Sequence, residues 1–242
     1  MIEFNNRNQI DIKVKRLIGE KDLDIKVKIN PLHNANYYLD VDFEGINIEN
    51  AKEVFGEFAK DLDKPLQIML SSRETERIAI LKAAGFVCKR KCYEVEAQEQ
   101  DYIGGDGEGA VQYSHAGEVV YERCRERMLN RYISTHRDIN PWSGSKEDFW
   151  AELPKCVAYF CVDENPINFA FVEEEELAYV YGDNLQEFRA FAKVLIAEMF
   201  GKYDSITFEA DDCDDMAMEL KSLFINQEEE SFDTYIWLKK EL

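Results

Sequence analysis

The segment EVFGEFAKDL, residues 53–62, recurs later in the chain as QEFRAFAKVL, residues 186–195. Five of the ten aligned positions are identical: two Phe, one Ala, one Lys and one Leu. The apolar identities fall at spacings of one and three residues, which places them on one face of a helix. We therefore predict two equivalent amphipathic helices and, from them, a chain built of two related halves.

The elements around these two segments repeat as well. In the first half the predicted elements are strands 11–17, 24–29 and 37–43, helix 49–62, strand 66–70, helix 73–84 and strand 87–95. In the second half they are helices 115–133 and 145–153, strands 157–162, 167–172 and 177–181, helix 185–200, strand 205–209, helix 215–224 and strand 232–238. Turns are predicted at 19–21 and 163–166. This order predicts an α/β (α+β) fold of two halves, each a mixed and mostly antiparallel sheet flanked by helices.

The halves are predicted to meet at an acidic, glycine-rich segment, 98–110. It carries four glycines between Gly104 and Gly109. A phosphate-binding glycine loop is an alternative, but no strand leads tightly into the segment, and its Asp and Glu residues would repel a phosphate. We therefore predict domains at 1–97 and 111–242, joined by a linker.

The charge balance of the chain is strongly acidic. It has 29 Lys and Arg against 49 Asp and Glu, a formal net charge of -20 at pH 7. Such a surface repels nucleic-acid phosphates and anionic lipids, so neither nucleic acid nor membrane is expected as a partner. The acidity serves either to keep the protein dissolved or to attract a cationic small molecule.

The N-terminal residues and the cysteines indicate a cellular compartment. Met1 to Gln9 is polar, and no later run approaches the roughly 20 apolar residues that span a bilayer. The sequence therefore predicts a cytoplasmic protein. Its cysteines are expected to be reduced thiols, and their spacing, without a matching His or Cys cluster, predicts no metal site. These are Cys88, Cys92, Cys124, Cys156, Cys161 and Cys213.

Two stretches of the sequence resemble a known family. The segment from Ile78 to Phe86, IAILKAAGF, is similar to a helix that ends in Gly-Phe in the GNAT (GCN5-related N-acetyltransferase) superfamily. The hairpin from Val157 to Val172 is similar to the family's pair of strands with a polar turn. The second half has the family's order of elements, and the first half, which lacks the two leading helices, looks like a truncated copy. The resemblance implies acyl transfer from acetyl-CoA, or another acyl-CoA, to an amine.

The resemblance also implies where a cofactor would bind. In this family a strand end and the start of the next long helix meet the cofactor, where free N–H groups and the helix dipole suit a pyrophosphate. Gly182 is the one glycine there, and the family's glycine-rich loop is absent. In the first half Gly45 occupies the matching place. The implied cofactor-binding residues are Val180, Tyr181, Gly182, Asp183, Asn184 and Leu185.

Catalytic and substrate residues follow from the same resemblance. Acyl transfer needs a base, and the implied candidates are Glu174 and Glu176 in the run between two predicted strands. The family's usual acid is a tyrosine in the last helix, but leucines, Leu81 and Leu220, stand at the matching positions. Tyr235 on the final strand is the candidate acid in their place. His136 and Trp142 follow the first helix of the second half, where the family binds its acceptor.

Two functions remain open at this level. The first is an N-acyltransferase carried by the second half, with an amine acceptor that the acidic charge favours as a cation. The second is a noncatalytic module of the same fold that binds a small ligand or a protein. The order of elements favours the first function, and the missing glycine loop and tyrosine favour the second.

Overall fold

The computed structural model of the protein describes residues 12–18, 21–60, 62–162, 165–225 and 229–238. The polar start at 1–9, residues 19–20 of one predicted turn and residues 163–164 of the other lie outside the described residues. The described chain folds into two compact units. Unit 1 comprises Met1–Lys91, His136–Ser145 and Ser231–Leu242, and unit 2 comprises Cys92–Thr135 and Lys146–Glu230.

Every strand and helix predicted from the sequence is present, with ends shifted by a few residues. Up to residue 98 the elements are β1 (Ile12–Ile18), β2 (Lys21–Asn30), β3 (His33–Val41), α1 (Ala51–Lys60), β4 (Leu66–Ser71), α2 (Thr75–Ala84) and β5 (Val87–Gln98). They continue as β6 (Gln112–His115), α3 (Val119–His136), α4 (Lys146–Glu152), β7 (Cys156–Val162), β8 (Asn165–Glu173), β9 (Glu176–Gly182), α5 (Leu185–Phe200), β10 (Ser205–Asp211), α6 (Asp215–Lys221) and β11 (Phe232–Trp237). The short strand β6 was not predicted.

Unit 1 has the strand order β1-β2-β3-β4-β11. The first three strands form an antiparallel meander, β3 runs parallel to β4, and β11 runs antiparallel to β4. The helices α1 and α2 bury their apolar faces in one core, in which Phe55, Phe58 and Leu81 are fully buried. Gly85 ends α2 in the left-handed conformation, φ 99°, a backbone shape that glycine adopts without steric cost.

Unit 2 has the strand order β5-β10-β9-β8-β7-β6. The strands β7, β8 and β9 form an antiparallel meander, β9 runs parallel to β10, and β5 runs antiparallel to β10. This pairing pattern is the same as in unit 1. Its core includes Phe188 and Phe191 of α5, which correspond in the sequence repeat to Phe55 and Phe58 of α1, together with Leu220 of α6.

Each unit takes its last strand from the opposite half of the sequence. The strand β11 follows α6 in the chain but pairs with β4, from Phe232 opposite Ser71 to Trp237 opposite Leu66. The strand β5 follows α2 but pairs with β10. The units therefore do not coincide with the predicted domains 1–97 and 111–242. Alternation of apolar residues reveals that a strand exists, but it carries no information about the edge to which the strand pairs.

The segment predicted as a linker, 98–110, lies wholly inside unit 2. Backbone hydrogen bonds tie it to the end of α6: Ile103 N–H donates to Leu223 O at 2.8 Å, and Ile225 N–H donates to Asp101 O at 2.8 Å. A Cβ atom on Gly107 would lie 2.6 Å from Val194 Cγ2, so this glycine packs directly against α5. Gly107, one of the glycines that suggested a linker, thus permits close packing here.

Candidate functional site

The strands β9 and β10 of unit 2 are joined at a single position. Thr207 stands opposite Glu176, and Thr207 N–H donates to Glu175 O at 3.0 Å. No further pairing joins these two strands, all of whose residues are described. Past Glu176, the edge of β9 that faces β10 therefore has no ladder partner, and the strands enclose a V-shaped opening toward their C-terminal ends. Backbone groups along such an open edge are available to a ligand.

The helix α5 starts beside the open end of this V. Asn184 caps the helix, with its Oδ1 accepting from Glu187 N–H at 2.9 Å. The N–H groups of Leu185 and Gln186 make no hydrogen bond to any described residue. Two N–H groups at the positive end of a 16-residue helix can receive an anion.

Two arginines of α3 lie at the same end of the V. Arg127 forms an ion pair with Asp183, and its Nη2 donates to Tyr181 Oη at 3.0 Å. Arg131, one helical turn later, pairs with Asp214 and Asp215 at the start of α6. Burial lowers the pKa of Arg131, but hydrogen bonds and charge from the two aspartates outweigh that effect and raise it. The Arg131 guanidinium therefore stays charged, and carboxylates pair with both arginines.

The whole chain was compared with known proteins. No protein-family model and no curated protein matches the sequence. Among solved structures, a conserved protein of unknown function from Enterococcus faecalis V583, described as a probable N-acyltransferase, matches with a TM-score of 0.51 and 12% identity over 94% of this chain. This chain spans only 62% of that protein's length. A GCN5-related N-acetyltransferase from Sphaerobacter thermophilus matches with a TM-score of 0.52 and 11% identity, over 90% of this chain and 78% of its own.

A third similar structure is a tandem GNAT protein from the clavulanic acid biosynthesis pathway, with a TM-score of 0.50 and 6% identity over 97% of this chain and 85% of its own. The chain has the GNAT fold. At these identities the likeness concerns the fold and carries no residue role. The V of unit 2 and the helix that starts at its open end therefore lie within a GNAT fold.

The predicted cofactor residues of this GNAT fold lie around the open end of the V. Asp183, Asn184 and Leu185 are exposed, and Tyr181 is half-buried. Val180 is buried in the core of unit 2. Gly182 is also buried, and a side chain there would collide with Phe188 and Asn168. The glycine is therefore required for internal packing.

The two predicted bases separate within the β8–β9 hairpin. Glu176 is exposed at the base of the V, opposite Thr207. Glu174 lies in the turn that joins the strands, with a left-handed backbone, φ 52°. It lines a different cavity of unit 2. The structure therefore associates only Glu176 with the V.

Tyr235, His136 and Trp142 belong to unit 1, whereas the V belongs to unit 2. Tyr235 is buried in the core of unit 1, and its hydroxyl donates to Asp233 Oδ2 at 3.2 Å. Burial and the charge of Asp233 raise its pKa. His136 is buried, and the ring of His33 lies 6.4 Å from that of His136 and 5.2 Å from that of Trp142. Tyr235 lies in unit 1 because its strand, β11, pairs with β4.

Sequence patterns did not indicate Tyr179 of β9 or Glu209 of β10, just as they did not indicate Arg127 of α3. Tyr179 of β9 packs near Phe149 of α4, with ring centroids 5.9 Å apart. Burial, and then the negative charges of Glu209, Glu152 and Glu176, raise its pKa. The phenol therefore stays protonated, and it makes no hydrogen bond to a described residue. The alternation in Leu177–Gly182 could have placed Tyr179 and Tyr181 on one face, but only the pairing of β10 brings Glu209 near them.

Proposed function

We propose that unit 2 binds an acyl-CoA and transfers its acyl group to an amine. The observation that carries the proposal is the single paired position between β9 and β10, Glu176 opposite Thr207. It leaves an open strand edge for the amide groups of the pantetheine arm, next to two unbonded N–H groups at the start of α5. In the transfer, the amine nitrogen bonds to the acyl carbon and the C–S bond breaks. The amine loses one proton, and CoA leaves as a thiolate that takes up one proton to become the free thiol.

Positive charge for the phosphates would come from Arg127 rather than from a glycine-rich loop. Its guanidinium pairs with Asp183, one residue before the cap of α5. A diphosphate that binds to the free N–H groups of Leu185 and Gln186 would compete with the Asp183 carboxylate for this guanidinium. Bidentate pairing of arginine with phosphate makes such an exchange chemically reasonable. The proposal therefore requires the Arg127–Asp183 pair to open when an acyl-CoA binds.

The groups around Tyr179 supply the acid–base chemistry of the proposal. Glu176 and Glu209 are both exposed, and both act on the charge state of Tyr179. A carboxylate there can take a proton from the attacking amine, directly or through water. Tyr179 stays protonated and can donate a hydrogen bond to the reacting group. The three glutamates near Tyr179 also favour a cationic amine, as the net charge of the chain does.

Calorimetry with acetyl-CoA tests this proposal. We expect millimolar acetyl-CoA to bind, and we expect Asp183→Asn to tighten binding because Arg127 is released for the phosphates. Arg127→Gln should weaken binding about tenfold, the effect of one charge-assisted hydrogen bond. Asp204→Asn makes the same charge change at an exposed position outside the V and serves as the control. If neither the native protein nor Asp183→Asn binds acetyl-CoA or a longer acyl-CoA, the proposal fails.

A second candidate function is a noncatalytic module of the same fold. Leu220 stands where the family has the tyrosine that acts as general acid, and it is buried and has no hydroxyl. The pairs of Arg131 with Asp214 and Asp215 also occupy the open end of the V. An assay for the release of free thiol from acetyl-CoA distinguishes the two functions. It uses polyamines as acceptors and anionic amines as the comparison. Binding without release under all of these conditions favours the noncatalytic module.

A further inference from the structure

Unit 2 contains a second cavity, of about 310 Å³. The edge strand β6, the start of β7, the β8–β9 hairpin and the C-terminal end of α5 surround it. Cavities of this volume match the lower end of small-molecule sites. Its lining residues are Tyr113, His115, Cys156, Val172, Glu174, Leu195, Met199, Lys202 and Tyr203.

The lining combines an apolar floor with two opposite charges. Leu195 and Met199 of α5 are buried at the floor, and Val172 is half-buried beside them. Lys202 and Glu174 line the same cavity, yet neither forms an ion pair with a described residue. Lys202 Nζ lies 5.1 Å from the ring centroid of Tyr113, which holds its ammonium at the cavity by a cation–π contact.

The backbone of Glu174 adds a separate observation. It is the one described non-glycine residue with positive φ, 52°, and it sits in a two-residue turn between paired Glu173 and Glu176. Glycine, asparagine or aspartate usually takes such a position, and another residue there costs roughly 1–2 kcal/mol. A residue kept at that cost often has a role in binding, and here the residue lines the cavity.

We propose that this cavity binds a small zwitterion, an α-amino acid with an aliphatic side chain. The ammonium group of the ligand pairs with Glu174, its carboxylate pairs with Lys202, and its side chain lies on Val172, Leu195 and Met199. A ligand with both charges and an apolar body is complementary to all three features at once. A singly charged ligand would leave one of the two lining charges without compensation.

Titration with the twenty amino acids, followed by ligand-observed NMR and calorimetry, tests the proposal. We expect leucine or methionine to bind best. The methyl ester of leucine lacks the carboxylate and 4-methylpentanoate lacks the ammonium group, so each should bind at least tenfold more weakly than leucine. Lys202→Gln should remove the difference between leucine and its ester. This readout does not depend on acyl-CoA, so its outcome is independent of the proposed transferase activity.

Two variants of the turn distinguish a loss of leucine binding from a folding defect. Glu174→Gly should fold with higher stability than the native protein, because glycine adopts positive φ without strain, while losing at least tenfold in leucine affinity. Glu175→Gln removes the neighbouring carboxylate of the same turn, which does not line the cavity, and should bind leucine as the native protein does. The proposal is overturned if no amino acid binds at a concentration of about 10 mM, or if Glu174→Gly keeps the leucine affinity of the native protein.

Discussion

At Gly182 the space for a side chain is already filled. A Cβ atom there would lie 2.7 Å from Phe188 Cβ and 2.9 Å from Asn168 Oδ1. We expect Gly182→Ala to lower the free energy of unfolding of unit 2 by about 1–3 kcal/mol, because the core must shift to admit a methyl group. Urea unfolding followed by fluorescence measures this loss.

Gly56 of α1 provides the contrasting glycine. Nothing lies within 4 Å of a Cβ atom built there, and the residue is in a helix. Gly56→Ala should therefore stabilise the protein by about 0.5–1 kcal/mol, since alanine has the higher helix propensity. Equal effects of the two substitutions would contradict the packing of Gly182 described above.

His33 should make the stability of unit 1 depend on pH. Burial is the largest cause that lowers the pKa of His33 from 6.5. A hydrogen bond to Asn140 O at 2.8 Å opposes it, and the electrostatic interaction with His136 lowers the pKa further. The unfolded chain therefore binds this proton more readily than the folded one. We expect the free energy of unfolding to fall as the pH drops below about 6.5.

Chemical unfolding at pH 7.5 and at lower pH values measures this dependence. His33→Gln removes the titrating ring and should make the decline shallower. A native protein whose stability does not change between pH 7 and pH 5.5 would show that His33 is protonated at no cost in the folded state.

At the scale of elements, Asp214 joins the start of α6 to α3. Its Oδ1 accepts from Met216 N–H at 2.9 Å and Ala217 N–H at 3.2 Å, and its carboxylate also pairs with Arg131, both side chains being 15% exposed. Asp214→Ala loses the cap and leaves Arg131 with a weaker partner. We expect a loss of about 2–4 kcal/mol in the free energy of unfolding.

Two further variants divide that loss into its parts. Asp214→Asn retains an N-cap acceptor and should cost about 1 kcal/mol less than Asp214→Ala. Asp215→Asn removes the other partner of Arg131, whose side chain is 64% exposed, and should cost less than about 1 kcal/mol. If Asp215→Asn lowered the free energy of unfolding as much as Asp214→Ala, the exposed Arg131–Asp215 pair would be the main contact between α3 and α6.

The elements themselves could be predicted from the sequence, and their partners could not. Apolar spacing in residues 53–62 and 186–195 identified α1 and α5 because a helical face is a local pattern. The strand β6 is only four residues long, too short for its alternation to be distinguished from a loop. Whether β5 and β11 join their own half depends on contacts between residues far apart in sequence, and no local pattern records those contacts.

The candidate site divides in the same way. The family resemblance implied residues 180–185, because the order of elements places them at a strand end and a helix start, and it implied Glu176 in the acidic run between two strands. Tyr179, Glu209 and Arg127 were not implied, because three different elements bring them to the V. Tyr235 was assigned to the second half by its position in the chain, whereas β11 places it in unit 1.

At the scale of the whole molecule, unit 1 depends on the last strand of the chain. A protein truncated after Glu230 lacks β11, the antiparallel partner of β4, and lacks Tyr235 of the unit 1 core. We expect the amide hydrogens of β4 to lose their protection against exchange, while those of α5 and β8 in unit 2 keep theirs.

Hydrogen exchange with mass spectrometry compares the truncated and complete chains. Deletion of the few residues after Leu238 leaves β11 intact and is the matched control. Native protection of β4 in the truncated chain would mean that unit 1 does not need its last strand.

The pairing of β5 and β11 with strands of the opposite half also affects folding during translation. A ribosome releases β1 to β4 early, but the strand that completes them, β11, is translated only after the other described strands and helices. The nascent first half therefore has an unpaired edge on β4 until the elements of unit 2 and then β11 have emerged. Such exposed edges invite pairing with other chains, so dependence on chaperones during synthesis should be greater here than in a protein whose domains finish in the order of translation.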